Sequence, residues 1–179
     1  SCAARHFEVW YGHMNRLDDR FVHDETVEFG TCASLTTAST PQQKSAFVLK
    51  VGDVTTEALA AYCSDHEARM KAFSEQRRGR ILLMIYDLTG VPPFDWKLML
   101  NPLIQMKTRL KQHYMRHLLC TIIIVDSSFV RQLLTFIFSS MYESARPLRI
   151  MDVREDVVAT VATLWQGQLL SAASDVPCA

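Results

Sequence analysis

Six histidines, five cysteines and nineteen carboxylates are the side chains here with the chemistry to be ligands, nucleophiles or acids, and their spacing decides what they can do. His113 and His117 stand four residues apart. On a helix that spacing puts both imidazoles on one side, as two ligands of a metal ion require. Arg109, Lys111 and Arg116 surround them and would repel a divalent cation, and no carboxylate is interleaved. The expectation is a solvated helix face with no metal. The other histidines are dispersed, so spacing yields no Ser/His/Asp or Cys/His set.

Catalytic signatures are otherwise missing: there is no G-x-G-x-x-G, no phosphate-binding G-x-x-x-x-G-K, no G-x-S-x-G elbow and no H-E-x-x-H. Asp87-Leu88-Thr89-Gly90 spells the D-x-x-G of a GTPase switch, but no phosphate loop accompanies it. The plainer reading is a carboxylate that ends a strand and accepts turn amides, with Gly90 allowing the bend. Cys2, Cys32, Cys63, Cys120 and Cys178 form no C-x-x-C pair. An odd, irregular set argues for reduced thiols and a cytoplasmic setting, with Cys63 and Cys120 as small core residues. Neither a metal nor a cofactor is called for, and the reading is of a protein that is not an enzyme.

Surface chemistry offers more. Nineteen Lys and Arg balance nineteen Asp and Glu, which excludes a polyanion-driven binder as the default. No aromatic interleaving points to a nucleic-acid stacking surface. Residues 46–117 nonetheless carry eleven basic against seven acidic groups. Arg77, Arg78 and Arg80 share one turn, and Lys107, Arg109 and Lys111 share one helix, a basic patch suited to an acidic partner or lipid headgroups. In the segment 129–141, Phe129, Val130, Leu133, Leu134, Phe136, Ile137, Phe138 and Met141 spread around nearly the whole helix circumference. A helix on a sheet needs only one apolar side, so the remainder predicts an extra cover: the N-terminal arm, a second subunit, a lipid or a membrane surface.

The elements that position these residues follow from periodicity. Strand-like pieces fall at 7–11 and 26–29, and the Thr-, Ser-, Gln- and Pro-rich stretch 36–45 reads as a flexible connection. Alternation over 46–51 predicts a strand closed by Gly52-Asp53. Thr55 or Thr56 then caps a helix with Leu59, Tyr62, Cys63, Met70 and Phe73 on one face. The continuous apolar runs 81–86 and 121–125 predict strands covered on both faces. Between them one amphipathic helix carries Trp96, Met99, Leu100, Leu103, Leu110 and Tyr114, and Pro102 kinks it or delays its start. Asp126, Ser127 or Ser128 caps the helix 129–141. A brief strand at 148–151 precedes a last helix, 154–170, facing inward through Val157, Val158, Val161 and Trp165. Strands alternating with long helices imply an α/β sheet built by crossovers. The organisation is an N-terminal part, 1–45, within the same domain as the main unit, 46–170, and a fraying tail, 171–179. The divided apolar stretch 118–142 is too interrupted to span a bilayer as one helix.

Ile85-Tyr86-Asp87-Leu88-Thr89-Gly90-Val91, then Tyr114-Met115-Arg116-His117-Leu118, the strand Ile122-Ile123-Ile124-Val125 and the helix Ser128-Phe129-Val130-Arg131-Gln132-Leu133-Leu134 occur in an order that resembles one known fold. It is shared by STAS domains, the bacterial anti-sigma-factor antagonists among them, and by CRAL-TRIO lipid-transfer domains. The resemblance covers residues 45–170. It implies a mixed, largely parallel sheet with helices mainly on one face.

The STAS branch implies a non-catalytic module that binds a protein partner or itself, often under control of a phosphorylated Ser at the start of a helix. The matching stretch is Phe94-Asp95-Trp96-Lys97, where Trp96 and Lys97 replace the hydroxyls, so the phospho-switch is not carried over. The CRAL-TRIO branch implies a lipid ligand, with Tyr114-Met115-Arg116-His117-Leu118 similar to the family's Tyr-Pro-Glu-Arg-Leu step and the helix 129–141 suited to a lipid wall. The expected partner surface is Phe94, Asp95, Trp96 and Lys97 with Leu134, Phe136 and Phe138, rimmed by Arg77, Arg78, Arg80, Lys107 and Lys111. The leading expectation is a protein-interaction module. The alternatives are a lipid- or membrane-surface-binding domain and an enzyme built around Asp87 and Asp126.

Overall fold

A computed structural model describes residues 22–29, 33–39, 44–76, 81–91, 96–140, 146–152, 159–160 and 163–164 of the chain. Strands β1 (Val22–Phe29), β2 (Ala33–Ser39) and β3 (Lys44–Val51) pair antiparallel in sequence order. Strands β4 (Ile81–Asp87), β5 (Leu118–Val125) and β6 (Leu148–Asp152) continue the same sheet parallel to β3. The intervening helices are α1 (Thr56–Gln76), α2 (Trp96–Arg109), α3 (Lys111–His117) and α4 (Ser128–Ser140). No helix among the described residues is long and apolar enough to cross a membrane.

The strand order is strictly sequential, β1-β2-β3-β4-β5-β6. From β3 onward every crossover therefore steps in one direction. Right-handed crossovers repeated in one direction land their helices on one side of a sheet. The packing agrees: Leu59, Met70, Met106, Leu110, Tyr114 and Leu134 from the four helices meet Leu35, Leu49, Leu82, Tyr86 and Ile123 in a single core. The pleat sends the alternate residues, Ala46, Val48, Leu83, Ile85, Ile122 and Ile124, into a second buried cluster behind the sheet, where Leu164 packs. The apolar runs thus become strands buried on both faces, as their composition predicts.

Register matters for the site. Leu35 pairs with Leu49, Leu49 with Tyr86, Tyr86 with Ile123 and Ile123 with Ile150, so these residues form one row across the sheet on its helix-bearing face. Helix starts are fixed by hydroxyls: the Ala58 amide donates to Thr55 Oγ1 at 3.2 Å and the Val130 amide to Ser127 Oγ at 3.4 Å.

Three expectations need correction. The stretch 36–45 is largely strand, because Thr36 to Ser39 belong to β2 and Lys44 and Ser45 to β3. Thr36 and Thr37 are buried, and Thr26 Oγ1 lies 3.1 Å from Thr36 Oγ1 across the β1–β2 pair, so β-branched hydroxyl residues pair there as a sheet and not as a linker. The delayed start does not occur, since Pro102 lies inside α2, which begins at Trp96; a break falls at Leu110, with φ −91° and ψ 2°. The bonds from Leu110 to Met106 and from Tyr114 to Leu110, both 3.0 Å, carry the ladder across it. β5 begins at Leu118, three residues before the expected strand, with a register shift that skips Leu119. The pieces expected at 7–11 and most of 154–170, Val157, Val158, Val161 and Trp165 included, lie outside the described residues.

Candidate functional site

At the carboxyl ends of β3, β4 and β5 the helices do not fully close over the sheet. Leu49, Tyr86 and Ile123, three members of the row above, form the floor of an apolar chamber with Val51. Leu59 and Tyr62 of α1 and Leu134 of α4 wall it, and half-buried Val54, Ala58, Leu88, Leu103 and Phe138 make its rim. The chamber measures about 90 Å³. That exceeds severalfold the ~10–15 Å³ one water needs. A concave, mostly apolar pocket with a few placed polar groups is the ordinary form of a small-molecule site.

Polar groups in the chamber are few. The Tyr62 hydroxyl donates to the Tyr86 hydroxyl at 3.3 Å. Burial, with Tyr86 and Tyr114 nearby, holds the Tyr62 phenol well above its usual range, so it stays a neutral donor. Lys107 enters from α2, its Nζ 5.2 Å from the centre of the Tyr86 ring. No ion pair or hydrogen bond joins this amine to another described residue. Burial alone pushes it down to about 8.

Deeper in the same core lies His66, fully buried, its Nε2 2.8 Å from the Tyr114 hydroxyl and its ring tilted against Tyr62 at 5.4 Å. Burial first, then the charges of Lys107 and Arg69, push its imidazole down to about 3. Its Nδ1 has no hydrogen-bond partner among the described residues.

The turn after β4 is closed on itself. Asp87 Oδ1 accepts from the Thr89 amide at 2.9 Å and the Thr89 hydroxyl at 2.6 Å, and Lys50 Nζ bonds Asp87 at 3.3 Å and the Thr89 carbonyl at 2.5 Å. Gly90 takes φ +70° while its amide donates to Asp126 Oδ2 at 2.8 Å. This is the turn architecture that Asp87-x-x-Gly90 suggests, with Asp87 Oδ1 shared between Thr89 and Lys50.

The residues singled out from sequence part ways. Lys107, Leu134 and Phe138 converge on the chamber. Phe136 is 61% exposed and, with Phe129 at 71%, faces solvent from α4. That is where the expected extra cover of this helix would sit. Lys111 is exposed on α3, so Lys107 and Lys111 do not form one patch. The reason is helical: Leu103, Met106 and Lys107 share the inward face of α2, and Leu110 continues it at the junction with α3. Phe94, Asp95, Arg77, Arg78 and Arg80 lie outside the described residues, as do the side chains of Trp96 and Lys97.

The expectation for His117 fails as well. It is buried, not solvated, with Nε2 3.1 Å from Ser74 Oγ and its ring edge-on to Phe73 at 5.4 Å. His113 is half-buried. Among the described residues no group of three or more His, Cys, Asp and Glu gathers. Cys63 and Cys120 are buried free thiols, each pushed up to about 11 by burial.

Tyr62 and Tyr86 are site residues that sequence reasoning treated only as core. The overlooked signal was a lysine on an apolar helix stripe, at Leu103 plus four and Leu110 minus three. Comparison with protein-family models, with curated proteins and with solved structures returns no match.

Proposed function

We propose that the protein is a non-enzymatic binding module whose chamber receives a small apolar or amphipathic molecule. The observation that carries this reading is the chamber itself: an apolar pocket at the carboxyl ends of three parallel strands, with one amine and two phenols as its polar groups among the described residues. Among the described lining residues no nucleophile is paired with a base. The carboxylates beside it, Asp87 and Asp126, serve the β4 turn. The one-sided stacking of helices and the place of α4 in the chamber wall also support the CRAL-TRIO-like, lipid-binding side of the resemblance.

Isothermal titration with octanol tests it. The expected result is saturable binding with a negative heat-capacity change, the mark of apolar burial. Ala58→Trp, which fills the rim, should abolish binding while leaving the melting temperature near that of the parent. Absence of binding, or equal binding by Ala58→Trp, would remove the reading.

A second reading rests on a separate observation. Phe129 and Phe136 lie seven residues apart on α4, on one exposed side. Two such rings are the kind of anchor that protein interfaces bury. That reading is a STAS-like protein-interaction module, with a partner protein or a second copy on α4.

A further inference from the structure

We propose that the chamber selects an amphipathic monocarboxylate, its headgroup on the Lys107 ammonium and its hydrocarbon against Leu49, Leu103, Ile123 and Leu134. The inference rests on the ligand-binding reading above and adds the headgroup to it.

The first support is the state of Lys107. It lines an apolar space, and the Tyr86 ring face at 5.2 Å is its one attractive polar contact among the described residues. Lys107 is half-buried, and an ammonium partly withdrawn from water favours an acceptor, for which a ring face is a weak substitute compared with a carboxylate. Four of the described carboxylates are engaged elsewhere. Glu67 holds Arg109, Asp65 and Glu25 hold Arg69, and Asp87 holds Lys50. A ligand carboxylate is the group that completes the site.

Charge decides the class of anion. Lys107 is the one cation lining the chamber among the described residues. A carboxylate carries a single charge, matched by one ammonium, and can accept further bonds from phenols. A phosphate monoester carries about −1.5 to −2 and would leave charge unneutralised against aliphatic walls. Volume sets the rest: the space, about 90 Å³, takes the first few carbons beyond the headgroup, and the remainder of a medium-length chain runs out over Leu88 and Phe138.

Titration of the full chain at pH 7 with octanoate and with octanol, in the wild type and Lys107→Met, tests this directly. The wild type should bind octanoate at least about tenfold more tightly than octanol, the scale of one charge-assisted contact. Lys107→Met should lose that preference and keep its affinity for octanol. Lys107→Gln, polar but uncharged, should behave like Lys107→Met. Equal affinities in the wild type, or a preference that survives in both variants, would overturn the headgroup assignment and leave the chamber reading standing. Binding of neither ligand would remove both.

Discussion

The Lys107 amine sits 5.2 Å above the Tyr86 ring, facing an apolar chamber with no carboxylate among its described lining residues. Register explains the pairing. Tyr86 lies between Leu49 and Ile123 on the helix side of the sheet, and Lys107 stands one helical turn from Leu103 and Leu110 on the inward stripe of α2.

That burial makes Lys107 a cost to the empty protein. Its amine titrates near 8 when folded and near its ordinary 10.5 when unfolded. Between those values the unfolded chain binds more protons, so this group raises stability as pH rises from 8 to 10.5. Below 8 both states are charged and the penalty is constant. Cys63 and Cys120 act oppositely, since burial pushes their thiols up to about 11 and the unfolded chain loses those protons first. The comparison must therefore be a difference between proteins. Urea unfolding should show Lys107→Met more stable than the wild type at pH 7, by on the order of 1–3 kcal/mol, with the gap closing by pH 10.5.

His66 sets an acid limit. Its imidazole titrates near 3 in the fold against 6.5 when free. The unfolded chain takes the proton first, so the stability this residue confers is full above 6.5 and is lost as pH falls toward 3. The slope approaches ~1.4 kcal/mol per pH unit within that window. His66→Gln, which keeps a group able to bond Tyr114 but cannot titrate, should flatten the dependence in denaturation midpoints measured between pH 6.5 and 4.

The two α4 residues expected to share a surface should separate on mutation. Leu134 is 2% exposed and walls the chamber, so Leu134→Ala should cost about 2–5 kcal/mol. Phe136 is 61% exposed, and Phe136→Asp should change stability by no more than ~0.5 kcal/mol. Thermal melts of both variants check this. If Phe136→Asp leaves octanol binding intact but breaks self-association seen by sedimentation, α4 serves the second reading.

Gly90 offers a backbone test. A Cβ built there meets nothing within 4 Å, so only its φ of +70° resists substitution. Gly90→Ala should cost about 1–2 kcal/mol, the penalty of a left-handed alanine, without disturbing the chamber. Denaturant unfolding and octanol titration of that variant together separate the two effects.

Much of this fold was legible from the chain. The β4 and β5 runs, the α1 stripe of Leu59, Tyr62, Met70 and Phe73, and the α4 start at Ser127 follow from period and capping alone. β2 was hidden because its alternation is carried by Thr36, Thr37 and Ala38, whose small or hydroxylated side chains spell a linker as readily as a strand. His117 misled for a related reason: its basic neighbours suggest water, yet Phe73 and Ser74 of α1 cover it. The chamber lay beyond sequence pattern altogether. It is made of residues from seven elements and their connections, and only the register that aligns Leu49, Tyr86 and Ile123 brings them together.

The central claim is that the chamber holds an apolar ligand, and methyl NMR of the full chain titrated with octanol tests it most directly. Shifts concentrated at Leu49, Leu59, Leu103, Ile123 and Leu134, and absent in Ala58→Trp, are the predicted result. Saturable shifts confined to the exposed side of α4 around Leu133, or no shifts at all, would contradict it.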